Sequence, residues 1–138
     1  MEGPGVIVLD THALLWMDRN DPMLGPQSRA LIENIWRSDV VAVSAISFWE
    51  TALLADRGRI VLPVPAEAWR LDLLQAGLRE IVVDGRVALL ATRLEGLQRD
   101  PADRFIVATS IQLGATLVTA DGQLLGWNGD LPRQDASA

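Results

Sequence analysis

The sequence lacks several residue types on which well-known classes of site depend. Among its 138 residues there is no cysteine and no lysine, and His12 is the single histidine. The absence of cysteine excludes a disulfide framework and a thiolate zinc site, and one histidine argues against any usual zinc site. No hydrophobic run approaches the length of a membrane-spanning helix. Residues 5–17 contain Asp10 and His12, and no positively charged region precedes them, so we expect no signal peptide and a cytoplasmic location.

The charge balance is acidic, and arginine carries all of the positive charge. The formal net charge is −6, from 18 acidic and 12 basic residues. An acidic balance argues against a nucleic-acid partner, since phosphate affinity normally needs a basic face. Cations bound to a cluster of the acids would reverse the local sign, and arginine binds phosphate through two parallel hydrogen bonds. The charge therefore leaves the partner undecided.

Hydrophobic periodicity predicts the secondary structure. Short apolar runs predict strands at residues 6–9, 40–43, 81–83 and 117–119. Helical spacing predicts helices at residues 11–17, 26–37, 45–56, 66–75, 86–97 and 101–114, with a short helical turn through residue 125. We expect one domain, residues 1–138, in which the polar end at about 128–138 frays.

The order of these elements predicts an α/β fold. Strands that alternate with helices are typical of βαβ units, so we expect a central parallel sheet of about four to five short strands flanked by helices. Right-handed crossovers would bring all the strand ends to one edge of this sheet. Residues just past the carboxyl ends of strands line the ligand crevice in such folds.

Four acidic residues are the candidates for that crevice: Asp10, Glu50, Asp103 and Asp121. Asp10 closes the apolar run of the first strand, and Asp121 follows that of the last. Carboxylates gathered at one place repel one another unless a cation holds them, and such hard oxygen ligands suit Mg²⁺ or Mn²⁺. This pattern is typical of a metal-dependent site that cleaves phosphodiesters.

Three of these acids also have a purely structural explanation. Asp10 and Asp121 each precede a predicted helix and are candidates for its N-cap. Asp103 lies three residues after Asp100, so with Asp100 as the N-cap it would only interact favourably with the positive end of the helix.

Glu50 is harder to explain structurally. It shares a helical stripe with Ile46, Trp49, Leu53 and Leu54. A carboxylate on a core-facing stripe is costly unless it is paired or bound to a metal. We therefore interpret Glu50 as functional.

The chain resembles the PIN-domain ribonucleases in four short motifs. These are VIVLDTH at residues 6–12, SAISFWE at 44–50, DPADRFIVA at 100–108 and LVTAD at 117–121. The motifs stand in family order and cover almost the whole chain. Within that superfamily the chain resembles the VapC-type toxins of bacterial toxin–antitoxin pairs. The resemblance implies a PIN-like three-layer fold with a central parallel sheet, which agrees with the predicted strands.

The resemblance also implies the chemistry and the partners. The acidic quartet of the family falls on Asp10, Glu50, Asp103 and Asp121, and all four are intact. Asp10 and Asp103 would bind Mg²⁺, or Mn²⁺, with Glu50 and Asp121 completing the pocket directly or through water. The implied activity is metal-dependent endoribonuclease cleavage of RNA. The implied partners are an RNA substrate, a small cognate antitoxin encoded nearby and a second copy in a homodimer, with no membrane involved.

An antitoxin of this kind would block the acidic pocket with a cation. We expect it to place an arginine or lysine against the four acids and to lay an amphipathic helix in an apolar groove. We expect that groove beside the predicted helices at 26–37 and 46–56.

Four further positions are less specific. Thr119 matches a family position near the metal that is often Thr or Ser, and an ordinary strand threonine explains it equally well. Arg104 follows Asp103 directly and is either a phosphate contact or a solvated helix residue. Arg99 stands where many relatives have histidine, so a substrate contact there is not carried over. We interpret His12 as structural, because it is a lone histidine at an apolar helix start.

The five tryptophans offer an alternative contact to RNA, by stacking on splayed bases. Trp16, Trp36, Trp49 and Trp69 lie within helical apolar patterns, which favours packing in the core or in a dimer. Trp127, near the polar end, is the only one left open.

Other classes of protein fit less well. A receiver-like signalling domain relies on a lysine that this chain does not contain. A haloacid-dehalogenase-like phosphatase would need a second aspartate at the position of His12. A catalytically silent PIN-like binding module remains open, although the intact quartet argues against it. The sequence is compatible with transfer, ribosomal or messenger RNA as the substrate. It is also compatible with either one or two bound metal ions.

Overall fold

The computed structural model describes residues 5–138 as five strands connected by helices. The strands are β1 (Ile7–Leu9), β2 (Val41–Ser44), β3 (Arg79–Ile81), β4 (Thr116–Thr119) and β5 (Arg133–Asp135). The helices are α1 (Thr11–Asp18), α2 (Pro26–Ser38), α3 (Ile46–Asp56), α4 (Ala66–Gln75), α5 (Gly85–Ala91), α6 (Pro101–Leu113) and α7 (Gly122–Leu125). No helix within residues 5–138 is both long enough and apolar enough to cross a membrane.

The strands form one parallel sheet in the order β3-β2-β1-β4-β5, which confirms the predicted α/β class. β1 is central, since Val8 lies opposite Ala42 of β2 on one side and opposite Leu117 of β4 on the other. The direction of strand order reverses between β1 and β4. Open α/β sheets bind ligands at such a switch point, outside the carboxyl ends of the strands.

Helices cover both faces of the sheet because strand residues alternate between two cores. Ile7 and Leu9 of β1 pack with buried residues of α1, α2 and α4 on one face. Val8 packs with α5, α6 and α7 on the other. Since β1 is buried on both faces, its unbroken apolar run is what a central parallel strand requires.

The third strand lies two residues earlier than predicted, at Arg79–Ile81 instead of 81–83. Pairing with β2 decides its position, because Arg79 lies opposite Ala42 and Ile81 opposite Ser44. Val82, inside the predicted strand, is 63% exposed.

The fifth helix is shorter than predicted and ends at Ala91 instead of residue 97. Gly96 lies in the left-handed region with φ of 77°, a conformation that glycine adopts at little cost. The chain turns there, and the carbonyl oxygens that a longer helix would use internally accept hydrogen bonds from Arg104 instead.

The prediction that residues 128–138 fray is wrong. Asp135 of β5 lies opposite Thr119 of β4, and Ala136 is completely buried. The N–H of Gly25, just before α2, donates to the carbonyl of Ala136 over 2.9 Å. Backbone hydrogen bonds rather than apolar side chains order this polar segment, so hydrophobicity alone does not reveal it.

Candidate active site

One pocket at the carboxyl ends of β1 and β4 collects all four acids singled out from the sequence. Its volume is about 350 Å³, and it is lined by Asp10, His12, Trp16, Glu50, Asp100, Asp103, Ala120 and Asp121. Asp10 directly follows β1, and Asp121 lies two residues past β4. The second turn of α3 contributes Glu50, and the first turn of α6 contributes Asp103. The sheet therefore brings acids from both ends of the chain to its switch point.

Asp10 is held by Thr119. The Thr119 hydroxyl donates to Oδ2 of Asp10 over 2.6 Å and accepts from the backbone N–H of Asp121 over 3.0 Å. Asp10 occupies the N-cap position of α1, yet its side chain makes no capping hydrogen bond. Its carboxylate therefore faces the pocket, and burial raises its pKa.

Glu50 is held by a chain of hydroxyl groups. The Thr11 hydroxyl lies within hydrogen-bond distance of Oε1 of Glu50 and 2.9 Å from the Ser47 hydroxyl. An ionised carboxylate only accepts, so Thr11 donates to Glu50 and Ser47 donates to Thr11. Burial raises the pKa of Glu50 above its ordinary value, and the nearby charge of Asp10 raises it further.

The expectation that Glu50 shares a core-facing stripe is wrong. The buried residues of α3 are Ser47 and Thr51, and Trp49 is 56% exposed. Helix α3 is apolar on several sides, so its periodicity does not identify the buried face.

Trp127, the tryptophan left open as a contact to RNA, is only 9% exposed, and its indole N–H donates to the carbonyl of Glu95 over 2.8 Å.

Asp103 lies in the first turn of α6, whose N-cap is Asp100. Oδ1 of Asp100 accepts from the backbone N–H of Ala102 over 3.0 Å. The Asp103 side chain is 9% exposed, and its Oδ2 accepts a hydrogen bond from the Gln98 amide. Burial, with the nearby charges of the other pocket acids, raises the pKa of Asp103 from 3.8 to about 7.

Asp121 has both of the roles considered for it. Its Oδ1 accepts from the backbone N–H of Gln123 over 2.8 Å and so caps α7, while the residue also lines the pocket. Capping and participation in the site are compatible, because a carboxylate has a second oxygen.

Sequence reasoning did not assign to the pocket four residues that line it: His12, Trp16, Asp100 and Ala120. His12 is exposed and lines the pocket instead of packing in the core, and its interpretation as a structural residue stays a prediction. Their positions in the sequence were the available signal, since His12 is three residues past the end of β1 and Trp16 is one helical turn further on. Asp100 is the N-cap that was expected, and it contributes a further negative charge.

Arg104 lies outside the pocket. Its guanidinium donates to the backbone carbonyls of Ala91, Leu94, Leu97 and Gln98 over 2.9–3.0 Å. A guanidinium committed to four carbonyls is not presented to a phosphate. Arg104 is therefore neither a phosphate contact nor a solvated helix residue, the two interpretations considered from the sequence. Its side chain holds the connection between α5 and α6.

The donor set fits a hard divalent cation that keeps part of its water shell. Within residues 5–138, no group of three or more His, Asp or Glu side chains is arranged to hold an ion by itself. Mg²⁺ commonly binds through one or two carboxylates and retains several waters. Carboxylates with raised pKa values gain from a nearby positive charge, which offsets their repulsion. The pocket therefore suits an ion bound partly through water.

A parallel α/β sheet with an acidic pocket at its switch point is the arrangement expected of a PIN domain. The PIN domain family matches residues 7–125, a span that includes all four acids. The chain therefore belongs to the PIN-domain family. It is 37% identical to Ribonuclease VapC22 of Mycobacterium tuberculosis over 119 residues, which cover 86% of this chain and 88% of that protein.

Solved structures of VapBC proteins share the fold. VapBC2 from Rickettsia felis, bound to a promoter DNA fragment, matches with a TM-score of 0.70 and 18% identity over 94% of this chain and 97% of that one. VapBC-1 from nontypeable Haemophilus influenzae matches with a TM-score of 0.70 and 18% identity over 96% and 99%. These matches confirm the predicted PIN-like fold.

Proposed function

We propose that this protein is a Mg²⁺-dependent endoribonuclease and the toxin of a type II toxin–antitoxin pair. The observation that carries the proposal is the single pocket shared by Asp10, Glu50, Asp103 and Asp121. Among residues 5–138 no arginine lines this pocket, and His12 is its one basic side chain, so a bound cation would offset most of the repulsion between its acids. The relative at 37% identity bears the name of a ribonuclease.

The four acids have two roles in this proposal. Asp10 and Asp103 hold Mg²⁺, or Mn²⁺ in its place, and Glu50 and Asp121 reach the ion through water. When bound, the ion lowers the pKa of a water and neutralises charge on the scissile phosphate. Thr119 fixes the orientation of Asp10, which limits the freedom that the carboxylate loses on binding.

A catalytically silent PIN-like binding module is the alternative with the same fold. It would keep the pocket without cleaving RNA. A receiver-like signalling domain is disfavoured, because the chain has no lysine and belongs to the PIN-domain family.

Two substitutions test the nuclease directly. Asp10→Asn and Asp103→Asn each remove a formal charge with little change of shape, and Asp72→Asn, at an exposed position of α4, is the matched control. Cleavage is measured on transfer, ribosomal and messenger RNA with Mg²⁺ and after chelation. We expect the wild type and the control to cleave only with the metal, and both pocket variants to lose most activity.

Two outcomes would contradict the proposal. Full cleavage by either pocket variant in Mg²⁺ refutes the assignment of its residue. Binding of Mn²⁺ by the wild type, without cleavage of any RNA in the panel, identifies the silent module instead.

The proposed antitoxin has a docking surface that is separate from the pocket. A cavity of about 1060 Å³ runs along α3 and the segment that precedes α4, and we name it the apolar groove. Trp49, Val61 and Val64 line it and are 56%, 87% and 37% exposed. Exposed apolar patches of this kind mark interaction sites. Asp56, Glu67 and Arg70 also line the groove, and Arg70 is already paired with Glu80. The two remaining acids favour an occupant with basic residues.

We propose that an amphipathic helix of the antitoxin occupies the apolar groove. Trp49 lines the groove and its neighbour Glu50 lines the acidic pocket, so a chain that leaves the groove reaches the pocket directly. An arginine or lysine at that point would compete with the metal. The groove includes α3 as expected, but not α2, where a separate hollow of about 510 Å³ surrounds Ile32 and Trp36.

Co-expression with the adjacent small gene tests the partner. We expect the two proteins to elute as a complex on size-exclusion chromatography and the protein alone to elute as a homodimer. We also expect the protein alone, acting in the cytoplasm, to arrest growth of the host and the partner to relieve that arrest. Trp49→Ser should weaken the complex. If the protein alone is harmless and binds no neighbouring product, the toxin role is wrong even though the fold is right.

A further inference from the structure

We propose that Gln98 is a positioning residue that holds the metal ligand Asp103 in place. The Gln98 side-chain amide donates a hydrogen bond to Oδ2 of Asp103, and Gln98 itself does not line the acidic pocket. The inference rests on the proposed function, since it assumes that Asp103 binds a metal ion.

The connection between α5 and α6 is built to present Gln98. This segment, residues 92–100, has no regular secondary structure, and two side chains fix its backbone instead. Arg104 donates to four carbonyls of residues 91–98, one of which is that of Gln98. The Trp127 indole donates to the carbonyl of Glu95. The Gln98 amide therefore stands on a braced segment rather than on a free loop.

Three pocket carboxylates share one pattern: a neutral group donates to one oxygen of each. Thr119 donates to Asp10, Thr11 to Glu50 and Gln98 to Asp103. A neutral donor restricts the side chain and leaves the other oxygen available to a cation. A positively charged donor in the same place would compete with that cation, and Arg104, which follows Asp103, is turned away.

The consequence concerns metal affinity more than stability. Hydrogen-bond partners of metal ligands orient them, and their loss typically weakens metal binding or activity about 10–100-fold. Among the described residues 5–138, no hydroxyl group donates to Asp103 as Thr119 does to Asp10, and the Gln98 amide is the side-chain donor that orients Asp103. Removal of the amide frees Asp103 to turn and leaves its charge in place.

The test compares two glutamines. Gln98→Met keeps the length of the side chain and removes the donor. Gln112→Met, at an exposed position of α6, is the matched control. Mn²⁺ is titrated calorimetrically into each metal-free protein, and thermal unfolding is followed with and without Mn²⁺. We expect at least about tenfold weaker Mn²⁺ binding for Gln98→Met, with unchanged binding for the control and an unchanged unfolding temperature without metal.

A second readout separates positioning from a structural effect. RNA cleavage by Gln98→Met should recover as the Mn²⁺ concentration rises, because affinity for the ion is what the variant loses. Mn²⁺ binding within twofold of the wild type, or cleavage that excess Mn²⁺ does not restore, overturns the inference alone. Absence of Mn²⁺ binding by the wild type overturns the proposed function as well. Should Gln98→Met fail to fold, Gln98→Ala is measured against the same expectations.

Discussion

Substitution of Asp103 by asparagine should stabilise the metal-free protein, by an amount that depends on pH. The pKa of Asp103 rises from 3.8 to about 7 on folding. The folded state therefore holds this proton more tightly than the unfolded state. Below pH 3.8 both states are protonated and there is no penalty; as pH rises towards 7, the unfolded state ionises first and stability falls. Asparagine carries no charge at any of these pH values and escapes this loss.

The size of the effect follows from the pKa difference. At about 1.4 kcal/mol for each pH unit, the difference corresponds to about 4 kcal/mol at most. The pocket opens to solvent, and screening there reduces the penalty to about 1–2 kcal/mol. Loss of a carboxylate from the first turn of α6 costs about 0.3–1 kcal/mol in return. We expect Asp103→Asn to be about 1 kcal/mol more stable than the wild type near pH 8. Near pH 4, where folded Asp103 is protonated and carries no charge, we expect the two proteins to differ by less than about 0.5 kcal/mol.

Urea denaturation across this pH range measures the prediction. The wild type, Asp103→Asn and the control Asp72→Asn are compared in chelator and then in Mg²⁺. Metal stabilises only the proteins that bind it, so Mg²⁺ should reduce or reverse the advantage of Asp103→Asn. A difference between Asp103→Asn and wild type that stays constant from about pH 5 to about pH 8 would refute the reasoning.

Three further substitutions test other parts of the structure. Thr119→Val removes the buried hydroxyl that Asp10 accepts from; it should cost about 1–3 kcal/mol in unfolding free energy and weaken Mn²⁺ binding measured by calorimetry. Gly25→Ala places a Cβ 2.1 Å from the carbonyl oxygen of the last residue; it should lower stability to urea by about 1–3 kcal/mol, whereas Gly85→Ala, with open space around it, should not. Trp49→Ser should change stability by less than about 0.5 kcal/mol, and a larger loss would show that the exposed indole belongs to the core.

Elements with strong local signals were predictable from the sequence. The unbroken apolar run of β1 and the prolines that open α2 and α6 place those elements within about two residues. β5 has no such signal, since its residues Arg133–Asp135 are polar and its order depends on the edge of β4 and the start of α2. Pairing with β2 likewise places β3 at Arg79–Ile81, two residues before the position predicted from the sequence.

The acids of the site were predictable because their positions relative to strand ends are local, whereas their supports were not. Gln98 reaches Asp103 only because Arg104 folds the preceding segment back. Ser47 is buried in α3 where an apolar pattern would place Trp49 instead. Contacts made across the fold decide both of these positions.

The place of β4 in the chain sets the moment at which any activity of the pocket can begin. β1 is the central strand, yet its partner β4, Thr116–Thr119, follows only after β2, β3 and six helices. At about 5–20 residues per second, a ribosome delivers Asp121 roughly 5–20 s after Asp10. Throughout that interval β1 of the nascent chain has no β4 to pair with, and the set of four carboxylates is incomplete. A protein that attacks RNA, as proposed, would thus be inert towards the ribosome and message that are producing it until Asp121 has been made and β4 has paired with β1.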